Sequence, residues 1–414
     1  MPREPFVKRR KIGKIDAPPS KSYAHRILIS AYLSGEKVKV LNVGNSNDVL
    51  ATLGALKSIG AEVFFDGVNA TIMRKELPLT ATVDCNESGS TLRFLFPVVS
   101  ALGINATFIG KGKLLSRPIG ELVKTLNSNG AKIDGYTVNG KLTSGDYKIS
   151  ASVSSQYVTG LMLALPMLDG DSKIIFEGVP VSLGYLDITL DVLKIFGVQI
   201  EKTDYGYYVK GNQKYKVTDT VIVEGDYSGS AFTLCSGAIN GNVTVKGLNI
   251  NSKQGDSEII NVLKKFGACV TVTGDEVTVK RKTLNAVDID CENIPDLVQI
   301  MAVVGAFAKG TTILRNVERL KLKESDRINA IIDQLNKSQI KCEYKDKNLY
   351  VYGGEPKPSN FSGGKDHRTV MSATVLSLGT KGQSTVSEIE YANKSYVEFF
   401  NDVKKLGGDV NVNI

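Results

Sequence analysis

Residues that could do chemistry gather in this sequence where helices should begin. Pro18-Pro19-Ser20-Lys21-Ser22-Tyr23-Ala24-His25-Arg26 leads into an apolar face of Ala24, Ile27, Leu28 and Ala31. At such a start, free backbone N–H groups and the positive end of the helix dipole join Lys21 and Arg26, with Ser22 one turn from Arg26 on the same face. That combination suits an anion; a capped helix with solvated charges is the plainer alternative. Glu87-Ser88-Gly89-Ser90-Thr91-Leu92-Arg93 is a second small-residue turn, where Gly89 lets a ligand approach the backbone. Ser116-Arg117-Pro118 sets an arginine against the dipole of the helix it precedes, which is poor helix design and better anion-site design. Ser154, Ser155 and Gln156 offer hydroxyls and an amide that can hydrogen-bond a phosphate or polyol without adding charge.

The second half repeats the theme. Asn293-Ile294-Pro295-Asp296 brings a carboxylate to a helix start, which the dipole alone would favour. Lys323-Glu324-Ser325-Asp326-Arg327 packs five polar residues into one turn before Ile328 opens an apolar face. Asp366-His367-Arg368 and Asn393-Lys394-Ser395 each add a cation at a further helix start. One charge run reads as a solvated face. Recurrence at the same structural location argues for a site.

The elements that position these groups form a repeat. An amphipathic helix ending in Gly, followed by a strand, occurs with its Gly at 60, 130, 197, 267 and 407, and a degenerate copy has Gln339 in that place. Left-handed backbone at a helix end explains the Gly. Apolar residues recur at helical spacing before it, as in Ile119/Leu122/Val123/Leu126 and Ile328/Ile331/Ile332/Leu335. Pro118 and Pro295 are expected at first helical positions, with Ser154, Asp366 and Ser395 as caps. Alternating runs such as Val270 to Lys280 read as strands. A unit of about 70 residues with both helices and strands is too long for a solenoid module. Six of them suggest two domains of three units each.

Composition narrows the function. A chain of 414 residues, 42% hydrophobic and 23% charged, is that of a folded protein with more than one domain. No apolar stretch reaches the roughly 18 residues of a membrane span, and Leu297 to Ala308 reads as a buried helix. The basic start, Met1 to Lys11, leads into no apolar signal region, so secretion is not expected. Five scattered cysteines without a C-x-x-C pair point to reduced thiols, and two distant histidines make a zinc site improbable. The surplus of 51 − 43 = 8 positive charges fits small anions or nucleic acid. No long basic run and no interleaved aromatic platform is present, which disfavours nucleic acid.

End to end, the chain resembles the 5-enolpyruvylshikimate-3-phosphate synthase family. The likeness rests on P-P-S-K-S-Y-A-H-R (18–26), S-G-S-T-L-R (88–93), R-P-I-G (117–120), S-S-Q (154–156) and G-Y-L-D-I-T (184–189). It continues through E-G-D-Y-S (224–228), I-P-D (294–296), A-K-G-T-T (308–312), K-E-S-D-R (323–327) and D-H-R (366–368). The resemblance implies an α/β (α+β) fold of two domains, each of three βαβαββ repeats, with the active site in the interdomain cleft. One domain would take residues 1–13 and 225–414 and the other 14–224, the chain crossing near Ile12 to Lys14 and near Val223 to Asp226. It implies transfer of the enolpyruvyl group of phosphoenolpyruvate to the 5-hydroxyl of shikimate 3-phosphate, by addition and elimination, with release of phosphate. Lys21, Ser22, Arg26, Ser154, Ser155, Gln156, Ser182, Tyr185, Asp296 and Lys323 would bind shikimate 3-phosphate. Lys21, Gly89, Arg117, Gln156, Arg327, Arg368 and Lys394 would hold phosphoenolpyruvate. Asp296 would take the hydroxyl proton, Glu324 would protonate the methylene carbon, and Lys21 would share the catalytic work. A monomeric cytoplasmic enzyme without cofactor or metal is expected. Glu87, where many members have Asn, and Arg319, also Asn in others, depart from the pattern.

The rival with the same fold, UDP-N-acetylglucosamine enolpyruvyl transferase, uses a loop cysteine as proton donor. No cysteine of this chain lies in a Gly-rich loop just before Arg117, and K-E-S-D-R favours the shikimate enzyme. A nucleic-acid-binding protein would have no use for Asp296 and Glu324, which repel a phosphate backbone.

Overall fold

A computed structural model describes residues 11–150, 154–178 and 183–411. The chain divides into two compact units, Pro19–Glu224 and Met1–Pro18 with Gly225–Ile414. Within them one pattern recurs. Strand Thr80–Asp84, helix Gly89–Leu102, strand Asn105–Ile109, helix Gly120–Asn127 and strands Ala131–Asp134 and Thr137–Gly140 make a complete βαβαββ repeat. Its first two strands pair in parallel, and the last two add antiparallel partners beside Asn105–Ile109. Five four-stranded sheets share this order, and the sixth repeat contributes the parallel pair Asn360–Phe361 and Thr385–Val386.

In each unit one sheet takes an edge strand that is remote in sequence from its partner. Lys11–Asp16 runs just before helix Lys21–Ser34, yet it pairs in parallel with Gly241–Lys246. Thr220–Ile222 precedes helix Tyr227–Asn240, yet it pairs in parallel with Val38–Leu41. This corrects the first expected crossing. The whole of Lys11–Asp16 is hydrogen-bonded into the unit of the second half, and the division falls after Pro18 instead of after residue 13.

Helices come in two kinds. The first helix of each repeat is buried nearly all round, as in Lys21–Ser34, Gly89–Leu102, Ser155–Ala164, Tyr227–Asn240 and His367–Gly379. Every residue of Val298–Ala306 is buried, as expected from its apolar run, and Gln299 Nε2 donates to Thr369 Oγ1 at 2.9 Å. These helices pack on one another within each unit, Gly89–Leu102 on Ser155–Ala164 and Tyr227–Asn240 on His367–Gly379. A Cβ at Gly160 would stand 2.4 Å from the Arg93 carbonyl, so that contact requires glycine. The second helix of each repeat is the amphipathic one that ends in the repeat glycine. Gly60, Gly130, Gly197, Gly267 and Gly407 have φ between 71° and 97°, and Gln339 takes the same left-handed turn at 61°.

Two expected helix starts lie elsewhere. Pro118 stands two residues ahead of Gly120–Asn127, whose cap position is Ile119. Ser395 caps nothing, because it closes the short 3-10 turn Ile389–Lys394 and the next helix begins at Phe399. Pro295 does open its 3-10 turn, Pro295–Leu297.

Candidate functional site

Most of the expected residues sit at or near helix starts of both kinds, and each unit assembles its own set. In the Pro19–Glu224 unit the organiser is Arg26. Its guanidinium is buried and donates to Thr189 Oγ1 at 2.8 Å, Thr159 Oγ1 at 3.2 Å, the Tyr185 carbonyl at 3.0 Å and the Ser22 carbonyl at 2.7 Å. Its other face covers the Phe94 ring at 4.9 Å. Burial lowers its pKa to about 10, against raising pulls from Tyr185 and Tyr23, so it stays charged at neutral pH. Four donated bonds tie helices Lys21–Ser34, Ser155–Ala164 and Leu183–Ile195 together. Arg26 is thereby a fastener of Ser22 and Tyr185. Ser182 lies outside the described residues.

Ser20 and Ser154 cap their helices, accepting from Tyr23 N at 3.5 Å and Gln156 N at 3.3 Å. Gln156 is held from both ends: its Oε1 accepts from Arg93 Nη1 at 2.8 Å and its Nε2 donates to Ser90 Oγ at 3.0 Å. A Cβ built at Gly89 would stand 2.6 Å from Arg93 Nη1 and 2.8 Å from Arg117 Nη1. Only glycine lets both guanidiniums lie against that turn. Lys21 Nζ pairs with Asp48 Oδ2 at 2.9 Å, and both side chains are largely buried.

The second unit builds its set around Arg327. This guanidinium is 2% exposed and donates to Asp366 Oδ2 (2.9 Å) and Oδ1 (3.3 Å), Asp296 Oδ1 (3.0 Å) and Glu324 Oε2 (2.8 Å). Burial alone would lower its pKa; Asp366, Glu324 and Asp296 together outweigh that and raise it. Asp296 is the meeting point of three cations. Arg327 holds Oδ1, Lys323 lies 3.8 Å from the same oxygen, and Arg368 Nη2 reaches Oδ2 at 3.1 Å. Arg368 Nη1 also donates to the Asp296 carbonyl at 2.9 Å, which pins the Pro295–Leu297 turn to helix His367–Gly379. Burial lowers the pKa of Lys323, only partly offset by Asp296. Asp366 caps its helix on Arg368 N at 2.9 Å while accepting from Ser325 Oγ at 3.0 Å. Lys394 is buried too, but it ends a 3-10 turn packed on His367–Gly379 and opens no helix.

Sequence reasoning passed over several members of these sets. Asp48 lies in the first turn of helix Asn47–Ser58, where a carboxylate is unremarkable, and nothing local links it to Lys21. Arg93 was legible only as the end of a small-residue turn. Asp366 was legible as a cap; its second task, neutralising Arg327 from 39 residues away, was not. Asp256 is a further buried carboxyl that accepts from Ser228 Oγ. Burial first, then the charge of Asp296, pushes it up to about 7, against a lowering pull from Arg368.

The EPSP synthase (3-phosphoshikimate 1-carboxyvinyltransferase) family model matches residues 8–403. The chain is 39% identical over 415 residues to the 3-phosphoshikimate 1-carboxyvinyltransferase of Clostridium novyi (strain NT), covering 96% of this chain and 95% of that one. The enzyme of the same name from Clostridium kluyveri is 39% identical over 410 residues, covering 96% of both. A solved structure of EPSP synthase from Acinetobacter baumannii superposes with a TM-score of 0.81 at 23% identity, over 96% of each chain, and thus shares the fold.

Proposed function

Because the chain belongs to the EPSP synthase family, we propose that it transfers the enolpyruvyl group of phosphoenolpyruvate to the 5-hydroxyl of shikimate 3-phosphate and releases inorganic phosphate. The observation that carries this reading is the convergence of Lys323, Arg327 and Arg368 on Asp296, with Glu324 on the same guanidinium. It combines what the reaction needs: cations for two anionic substrates and carboxylates for two proton movements.

In the proposed sequence, the substrate hydroxyl oxygen adds to C2 of phosphoenolpyruvate while Asp296 takes the hydroxyl proton. Glu324 delivers a proton to C3, turning the methylene into a methyl group. Elimination then returns a proton from C3, breaks the C2–O bond to phosphate and restores the double bond. Lys21, Arg117, Arg327, Arg368 and Lys394 are assigned to the phosphoenolpyruvate anion, with Gly89 and Gln156 beside it. Lys21, Ser22, Arg26, Ser154, Ser155, Gln156, Ser182, Tyr185, Asp296 and Lys323 are assigned to shikimate 3-phosphate. Fixed cations aimed at the phosphate and carboxylate stabilise charge as it redistributes, without reorganising solvent. Carboxylates pair with Lys21, Lys323, Arg327 and Arg368, so an incoming anion competes with Asp296 for Arg368 and Lys323. A monomeric cytoplasmic enzyme belongs to the same reading.

The test is phosphate release measured with both substrates and with each alone. Phosphate should appear only with the pair. Release with UDP-N-acetylglucosamine in place of shikimate 3-phosphate, and none with the latter, would overturn the assignment in favour of the same-fold rival.

A further inference from the structure

A row of buried polar groups runs between three helices of the Pro19–Glu224 unit, and none of them belongs to the residues assigned above. His25, Thr52, Thr91 and Ser88 are each 1% exposed or less. His25 Nδ1 lies 2.7 Å from Thr52 Oγ1, Thr52 Oγ1 lies 2.6 Å from Thr91 Oγ1, and Thr91 Oγ1 donates to Ser88 Oγ at 2.7 Å. Ser88 also accepts from Thr91 N at 3.2 Å as the cap of helix Gly89–Leu102.

Each hydroxyl has a single hydrogen, so the direction of the chain follows by counting. Thr91 spends its hydrogen on Ser88 and can only accept from Thr52. Thr52 has then spent its own hydrogen and can only accept from His25. His25 must therefore carry a hydrogen on Nδ1. Its Nε2 has no hydrogen-bond partner among the described residues, which suits a bare lone pair and penalises a second N–H there. The ring stands edge-on to Phe94 at 6.3 Å, an apolar neighbour that offers no acceptor.

We propose that His25 and Thr52 are positioning residues for the transfer reaction: a one-way hydrogen-bond chain from the imidazole fixes the cap at Ser88 and, through it, the turn that carries Gly89, Ser90 and Arg93. The inference rests on the function proposed above. Small displacements of that turn matter because Arg93 and Arg117 lie against Gly89, while Ser90 and Arg93 hold the two ends of Gln156. The hydrogen-bond chain from His25 and Thr52 reaches that turn through Ser88. Burial keeps the imidazole neutral, lowering its pKa to about 3 despite a raising pull from Asp48, and the chain keeps one direction across the working pH range.

Two measurements test this. In the first, Thr52→Val, nearly isosteric but without the hydroxyl, is compared with Thr52→Ser, which keeps it. Thr52→Val should raise KM for phosphoenolpyruvate about tenfold, as sub-ångström misplacement of substrate-holding groups does, and Thr52→Ser should stay within about twofold of the native value. A Thr52→Val enzyme with a lower Tm but native KM values would make the row merely structural and overturn the proposal, as would equal losses in both variants. The second measurement needs no substrate and no change at Thr52. Long-range 15N–1H spectra of the native protein should show His25 as the Nδ1–H tautomer, unchanged from pH 5.5 to 8.5, its ring identified by loss of signal in His25→Asn. An Nε2–H tautomer, or titration in that range, would overturn the proposal even if Thr52→Val failed to fold. If the native protein released no phosphate, the functional reading would fall, and the tautomer would still decide the direction of the chain.

Discussion

Acid should destabilise this protein through one imidazole, by an amount that can be worked out. His25 has an ordinary pKa of 6.5 when exposed and about 3 in the fold, where burial is the main cause. Its folded pKa is depressed, so between these values the unfolded chain binds a proton that the folded chain refuses. Stability is therefore complete above pH 6.5 and is lost as pH falls towards 3. Linkage gives about 1.4 kcal/mol per pH unit in the steep part, hence about 2.5 kcal/mol between pH 7 and 4.5. Asp256 works in the opposite sense. Its folded pKa of about 7 is raised above the ordinary 3.8, so its contribution grows as pH falls through that window and masks part of the loss. The difference between native protein and a variant that cannot titrate isolates the imidazole. Urea unfolding of the native protein and of His25→Asn at pH 7 and pH 4.5 should show the native protein losing about 2.5 kcal/mol more than the variant, a midpoint shift near 1 M. Parallel losses in the two proteins would refute the reasoning, because they would mean that the imidazole is charged in the fold or that acid acts elsewhere.

Three further outcomes follow from the same geometry. Gln339→Gly should stabilise by about 1 kcal/mol, since it relieves a side chain held at a φ of 61° on an exposed turn, and a higher Tm with native turnover is the readout. Asp366→Asn should cost about 3 kcal/mol in urea unfolding, because either orientation of the amide sets N–H against N–H at Arg327 and leaves a buried guanidinium short of charge; a loss below 1 kcal/mol would mean that Asp296 and Glu324 suffice. Asp296→Asn should keep substrate affinities within about tenfold while lowering kcat roughly a hundredfold, as loss of a general base does. Near-native turnover in that variant would remove Asp296 from the proton transfer.

Local physics was enough to locate most of the machinery. Helix C-termini declare themselves because left-handed backbone is costly for any residue with a Cβ, so the glycines at 60, 130, 197, 267 and 407 stand out at a regular spacing. Even Gln339 could be placed by period alone. Helix starts were legible for a similar reason. Ser20, Ser154 and Asp366 accept from backbone N–H groups two or three residues on, an interaction written in adjacent positions. The failures at Pro118 and Ser395 mark the limit of such rules, for the helices begin a few residues further on, at Gly120 and Phe399.

What only tertiary structure decided are the pairings between distant residues. Local sequence pattern is blind to the partners of strands Lys11–Asp16 and Thr220–Ile222. Hydrogen bonding to Gly241–Lys246 and Val38–Leu41 assigns each strand to its unit, with the first division at Pro18. Charge behaves the same way. In the sequence, Lys21, Arg26 and Arg327 read as cations waiting for an anion. In the fold, Asp48 pairs with the first, hydroxyls and carbonyls hold the second, and Asp296, Glu324 and Asp366 surround the third. A buried cation must be neutralised or hydrogen-bonded, and that requirement holds in three dimensions whatever the distance along the chain.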